Sequence, residues 1–129
     1  MTDTFSRILY VEDEPDIQAV ARMALEEVGG FSVCVCSSGA EAIDAAPDFY
    51  PQLILLDVMM PEMDGPSTLR ALRQLPQTAA TPAIFFTAKA QPSEISRYRA
   101  LGAIDVIAKP FDPLTLSQHI REIWLRDRA

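Results

Sequence analysis

Leu53-Ile54-Leu55-Leu56-Asp57 is a run of four apolar residues closed by a carboxylate, and the loop Val58-Met59-Met60-Pro61-Glu62-Met63-Asp64-Gly65 follows at once. An uninterrupted apolar run of this length reads as a strand covered on both faces, the habit of parallel sheets flanked by helices. To either side, Ile8-Leu9-Tyr10-Val11 and Ala83-Ile84-Phe85-Phe86 have the same character, and Val106-Ile107-Ala108 is a shorter version. Phe31, Val33 and Val35 alternate with smaller residues, which suggests a strand near a sheet edge.

Between these runs the period changes to that of helices. Ile17, Val20, Ala21, Ala24, Leu25 and Val28 form an amphipathic stripe that Gly29-Gly30 stops. Ser38 and Glu41 make a capping box for a second helix, expected to end before Pro47. Pro66 opens a third carrying Leu69 and Leu72, and Pro92 a fourth with Ile95, Tyr98 and Leu101, closed by Gly102. Asp112 and Pro113 supply the N-cap and first turn of a fifth, with Leu116, Ile120 and Ile123 on its apolar face. Five strands alternating with five helices predict an α/β fold: a doubly wound five-stranded parallel sheet joined by right-handed crossovers. For this size the flavodoxin-like order 2-1-3-4-5 is expected, with ligands bound at the carboxyl ends of the strands.

The bulk numbers fit one domain over residues 1–129, with 49% apolar content to build one core. Met1 to Ser6 is polar and no apolar run approaches the roughly 20 residues of a membrane span. A cytoplasmic protein without a membrane association is therefore expected. The net charge of −7 argues against direct nucleic-acid binding. Cys34 and Cys36, two apart on one strand face, read as small buried apolar residues rather than a disulfide or a zinc site. The single histidine, His119, reads as a solvent-facing residue of the last helix. The chain stops about one turn beyond the last apolar stripe, so it is expected to carry no output domain.

The topology brings four strand ends to one crevice: Glu12-Asp13-Glu14, Asp57, Thr87 and Lys109-Pro110. Glu12, Asp13 and Asp57 crowded together would repel and raise one another's pKa values. A hard cation such as Mg²⁺, which accepts one or two carboxylates with waters and phosphate, would relieve this, and Lys109 would add a fixed positive charge. Such a site suits phosphoryl transfer, with Asp57 as nucleophile and the Thr87 hydroxyl on a phosphoryl oxygen. Taken singly, Asp13 also reads as a turn or capping residue, Thr87 as a strand-end hydroxyl and Lys109 as a solvated charge. Four strand ends in agreement favour the site.

Over essentially its whole length the chain resembles the CheY-like receiver domains of bacterial two-component response regulators. Asp57-Val58-Met59-Met60-Pro61-Glu62-Met63-Asp64-Gly65 matches the family's D-x-x-M-P-x-M-D-G stretch, and Val11 to Glu14 its acidic opening. Phe86-Thr87-Ala88 matches the strand-4 end and Lys109-Pro110-Phe111 the K-P-F signature. The resemblance implies that Asp57 takes a phosphoryl group from a phosphohistidine of a sensor histidine kinase or phosphotransfer protein. It implies Mg²⁺ ligated by Asp13, Asp57 and the Met59 backbone carbonyl, with Glu12 acting through water. Thr87, Ala88 and Lys109 would bind the phosphoryl group, and the Lys-Pro bond is commonly cis. The implied role is that of a phosphoacceptor that promotes its own phosphotransfer and slow dephosphorylation, not of an enzyme acting on other molecules.

One position departs from the pattern. Where receivers commonly carry Tyr or Phe, three residues before the lysine, this chain has Val106. A valine has no ring to swing, so switching is expected to reach the face of helix 4, strand 5 and helix 5 by backbone motion, with Tyr98 moving along. That face would bind a downstream protein partner. Met59 offers no polar group to orient an attacking water, which points to a long phosphoryl lifetime. Losing Lys109 is expected to leave a folded protein, if anything slightly more stable. A haloacid-dehalogenase-type phosphatase would want a second acid where Met59 stands. An FMN-binding fold would want a phosphate loop where Glu12-Asp13-Glu14 stands.

Overall fold

Alternate residues of each central strand enter opposite cores, and this places the strand ends. In the computed structural model, which describes residues 4–128, the strands are β1 (Arg7–Val11), β2 (Ser32–Cys36), β3 (Leu53–Asp57), β4 (Ala83–Thr87) and β5 (Asp105–Ala108). The first three residues of the polar opening Met1 to Ser6 lie outside the described residues. All pairings are parallel and the order is β2-β1-β3-β4-β5, as the alternation predicts. Leu9, Val11, Ile54, Leu56 and Phe85 face one core, where α2 (Gly39–Phe49), α3 (Gly65–Leu72) and α4 (Pro92–Ala100) contribute Ala42, Leu69 and Tyr98. Ile8, Tyr10, Leu53, Leu55, Ile84 and Phe86 face the other, covered by α1 (Pro15–Met23) and α5 (Leu116–Arg128). Every residue of β3 and β4 is buried, so these strands carry no polar alternation. At the sheet edge β2 is only partly covered; its Cys34 and Cys36 are free thiols, and burial pushes Cys36 up to about 12.

Two helix boundaries differ from the sequence expectation, and the first helix changes its winding before its expected stop at Gly29. α2 does not stop before Pro47 but carries it in its last turn. There a proline forfeits one backbone bond only, while Ala46 and Phe49 still gain burial in the core. Tyr50, at φ 52°, closes the helix by donating its N–H to the Ala46 carbonyl at 2.8 Å.

α1 continues beyond Met23 as a π-helical stretch over Ala24–Val28. Its wider turn carries Val28 off the apolar stripe into solvent, whereas Ala24 and Leu25 stay buried. Here the first helix is tied to the last: Ser117 Oγ donates to the Ala24 carbonyl at 2.9 Å, and the Arg121 guanidinium lies 4.1 Å from the Phe31 ring centre. Phe5 stacks on Trp124 at 4.4 Å beside it.

α5 begins at Leu116 rather than at Pro113. The Asp112 carboxylate accepts from the Leu114 N–H at 2.9 Å, which sets a turn over residues 113–115 before the helix proper. His119 is exposed on α5, as expected. Among the described residues no helix is long and apolar enough to cross a membrane.

Candidate functional site

At the carboxyl edge of the sheet the backbone runs straight from strand into site. The Glu12 N–H donates to the Cys36 carbonyl at 3.0 Å, extending the β1–β2 ladder by one residue and holding Glu12 fully buried. Asp57 is the last residue of β3 and is 3% exposed. After it the chain must double back, and Gly65 makes this possible. A Cβ there would lie 2.5 Å from the Asp57 carbonyl oxygen, so no side chain fits. Asp64 then caps α3 by accepting from the Ser67 N–H at 2.8 Å.

Lys109 joins the acids. Its N–H donates to the Thr87 carbonyl at 2.8 Å, its peptide bond to Pro110 is cis, and its ammonium turns inward. Lys109 Nζ lies 2.7 Å from Glu12 Oε1 and 3.0 Å from Asp57 Oδ1. The Phe86 ring sits 5.4 Å from the same ammonium, with Phe111 against Phe86 at 5.1 Å. Tyr10 donates its hydroxyl to Glu12 Oε1 at 3.4 Å, and burial, with Glu12 and Asp57 nearby, keeps that hydroxyl protonated.

The charges do not balance. Glu12, Asp13 and Asp57 bring carboxylate oxygens within 4.8 Å of one another, against the single charge of Lys109. Burial pushes the Asp57 carboxyl up to about 7; Lys109 pulls the other way, and the charge of Glu12 adds to the rise. Asp13 Oδ1 is buried and, among the described residues, has no hydrogen-bond partner. A buried carboxylate oxygen without a donor, beside two more carboxylates, is a set of hard oxygen ligands, and a divalent cation fits it.

The other residues singled out in the sequence fall at stated distances from this centre. Thr87 is buried, and its Oγ1 accepts from the Lys89 N–H at 3.0 Å, which leaves the hydroxyl proton free to donate. Ala88 and the 70%-exposed Met59 line a cavity of about 530 Å³ together with Asp57, Thr87 and Lys109. Val106 is the member that stays apart. It is 8% exposed, pairs with Phe85 on β4, and belongs to the core that contains Tyr98, whose ring meets Phe85 edge-on at 5.3 Å.

Sequence reasoning did not single out Tyr10, Phe86, Ile17 or Val20 for the site. The signal for Tyr10 was its spacing of two from Glu12, which puts both side chains on one face of the extended chain. For Ile17 and Val20 there was no such signal, because both fit the helix stripe equally well.

Comparison with known proteins agrees with this arrangement. The family described as the response regulator receiver domain matches residues 8–121. The transcriptional regulatory protein CpxR of Escherichia coli is 41% identical over 123 residues, covering 94% of this chain and 50% of its own length. The chain thus spans about half the length of that relative. The chemotaxis protein CheY4 of Vibrio cholerae superposes with a TM-score of 0.85 at 28% identity, covering 93% of this chain and 99% of that one. The receiver domain of the sensor histidine kinase PA1611 of Pseudomonas aeruginosa, solved with a magnesium ion coordinated in its active-site cleft, gives 0.79 at 29% identity over 95% and 97% of the two chains. With its family match, its fold and its acidic strand ends in agreement, the chain belongs to the response regulator receiver domains of two-component signalling.

Proposed function

We propose that Asp57 accepts a phosphoryl group from the phosphohistidine of a sensor histidine kinase or phosphotransfer protein, in a Mg²⁺-dependent reaction in the cytoplasm. The observation that carries this reading is the unpartnered Asp13 oxygen beside a nucleophilic carboxylate that Lys109 already holds in place. Asp13, Asp57 and the Met59 carbonyl would hold the cation, with Glu12 reaching it through water. When bound, Mg²⁺ supplies the positive charge that the cluster lacks.

The chain's own residues divide the remaining work. Asp57 attacks phosphorus, the P–N bond to the donor imidazole breaks, and its electron pair leaves with the ring. Lys109 neutralises phosphoryl oxygens, Thr87 donates its free proton to one of them, and Ala88 stands beside it. The protein therefore promotes its own phosphorylation and slow dephosphorylation, acting as a signalling domain. Acetyl phosphate with Mg²⁺ should add one phosphoryl group by intact-mass spectrometry. No mass change after prolonged incubation would refute the reading.

The metal has its own test. Asp13→Ala should weaken Mg²⁺ binding by at least about tenfold, since a charged oxygen ligand is lost. Protons compete for the same site: with the Asp57 carboxyl raised to about 7, the carboxylate is protonated below that pH and ionised above it. Mg²⁺ affinity should therefore fall about tenfold from pH 8 to pH 6. Calorimetry reads both, and equal affinity in variant and parent would count against Asp13 as a ligand.

Output is assigned to the face of α4, β5 and α5, where a downstream protein would bind. Val106 is buried and unable to swing, so Thr87, drawn to a phosphoryl oxygen, would pull the segment leading into α4. On adding beryllofluoride, amide shifts should spread from the Asp57 loop through residues 91–107. Silence across that segment would place the output surface elsewhere.

A further inference from the structure

β2 carries both cysteines of the chain, and the chemistry at Asp57 uses neither. Residues two apart on a strand share a face. Accordingly, Cys36 is buried in the core that α2 covers, and the half-buried Cys34 packs against the same core. The backbone keeps the two apart, because Leu9 pairs with Cys34 and Val11 with Cys36 along β1. Side chains two strand steps apart start roughly 6.6 Å from one another, whereas a disulfide brings its Cβ atoms to about 3.8 Å. Closing an S–S bond would break the ladder; one atom set between the sulfurs would not. Burial, then the neighbouring Cys34 thiol and the Glu41 carboxylate, push the Cys36 thiol up to about 12, so a free thiolate is disfavoured here.

The number of ligands decides which ion fits. Among the described residues, the group of three or more acids, histidines or cysteines close enough to share an ion is Glu12, Asp13 and Asp57, so the two thiols have no third ligand beside them. Zinc takes three or four protein ligands. A soft monovalent ion would leave one negative charge in apolar surroundings beside Glu41, which is costly. A soft divalent ion that takes two thiolates in line leaves none. We infer that Cys34 and Cys36 form a two-thiolate site for a soft, two-coordinate divalent cation, of which Hg²⁺ is the type. Two S–H bonds break and two metal–sulfur bonds form; both protons go to water, and nothing is oxidised or reduced. The site is joined to the acidic cluster through the backbone, since the Cys36 carbonyl accepts from the Glu12 N–H at 3.0 Å.

Mercuric chloride, added to the full chain in equal amount, should give by native mass spectrometry a monomer that carries one ion and has lost two protons. Against a competing monothiol, N-acetylcysteine, the parent should hold that ion at least about a hundredfold more tightly than Cys34→Ala or Cys36→Ala, because the second thiol acts at a high effective concentration. In the parent, the amides of Cys34, Cys36 and Glu12 should shift together as the site fills, and Zn²⁺ should leave those of Cys34 and Cys36 unmoved. Equal retention by the parent and both variants overturns the pair as a site, as does an ion shared between two chains. A Cys34 amide that answers Zn²⁺ as strongly as Hg²⁺ overturns the assignment to a two-coordinate ion. The mass of the parent complex needs no variant to fold: loss of one proton only, with chloride kept on the metal, overturns the two-thiolate site.

Discussion

Asp57→Asn should abolish phosphorylation by acetyl phosphate and, in the absence of metal, make the protein more stable. The first outcome follows from removing the only nucleophilic carboxylate at the end of β3; an amide oxygen forms no comparable acyl phosphate. The second follows from the position of the group. Asp57 is almost fully buried, and its carboxyl is raised to about 7 from an ordinary value of 3.8. A carboxyl raised by folding costs stability wherever the unfolded chain would ionise it more readily. That cost is fully present above pH 7 and fades as pH falls toward 4. That rise sets a ceiling of about 4 kcal/mol, and with the Lys109 contact kept by the asparagine oxygen a gain of about 2 kcal/mol at pH 8 is expected. Denaturant melts in a chelating buffer at pH 8 and pH 5 read both parts. The parent should gain stability on acidification through this range and the variant should lack that gain. A variant less stable than the parent at pH 8 would mean that Asp57 is not strained in the metal-free fold.

Lys109→Ala should be destabilising by about 3 kcal/mol at neutral pH and should leave a protein that takes no conformational signal from its site. The sequence suggested the opposite sign for stability, on the view that Lys109 compensates only part of an acidic pocket. The geometry reverses that view. Lys109 Nζ contacts two carboxylates at 2.7 and 3.0 Å, and Glu12 has no exposure to water. Removing one member of a buried ion cluster leaves the others charged and unsolvated, or forces them to take up protons. Chemical denaturation of the variant measures the loss, and an unchanged midpoint would show the cluster to be solvated. Amide shifts with beryllofluoride give the second reading, where a normal response at residues 91–107 would show that Lys109 is not the link.

The fold was legible because its three central strands are apolar runs of one length, and a run such as Leu53 to Leu56 admits few other readings. Helix ends were less legible. Pro47 was read by its usual effect in a helix interior, yet in a last turn it removes a single bond while Phe49 beyond it still finds the core. The π stretch at Ala24–Val28 has no residue signature, and the contact made there comes from Ser117, 93 residues away, on the Ala24 carbonyl. Within the site, the charged members were read from the strand ends alone. The ring beneath Lys109 was not, because Phe86 looks like any other core residue until β5 brings the ammonium above it. The Asp13 oxygen without a partner is likewise a fact of three dimensions.

The tie between the first and last helices has a mechanical consequence. Ser117 donates to Ala24, Arg121 lies over Phe31, and Phe5 stacks on Trp124, so α1 and α5 form a braced frame on one side of the sheet. A methyl group at Gly29 would strike Ser117 Oγ at 2.1 Å, so α5 meets the end of the first helix too closely for any side chain there. On the other side α4 inserts only Tyr98 fully into the core. If output runs through α4 as proposed, the molecule would divide into a stator and a light moving arm. A partner straddling α4 and α5 would then read the arm's displacement against a fixed mark.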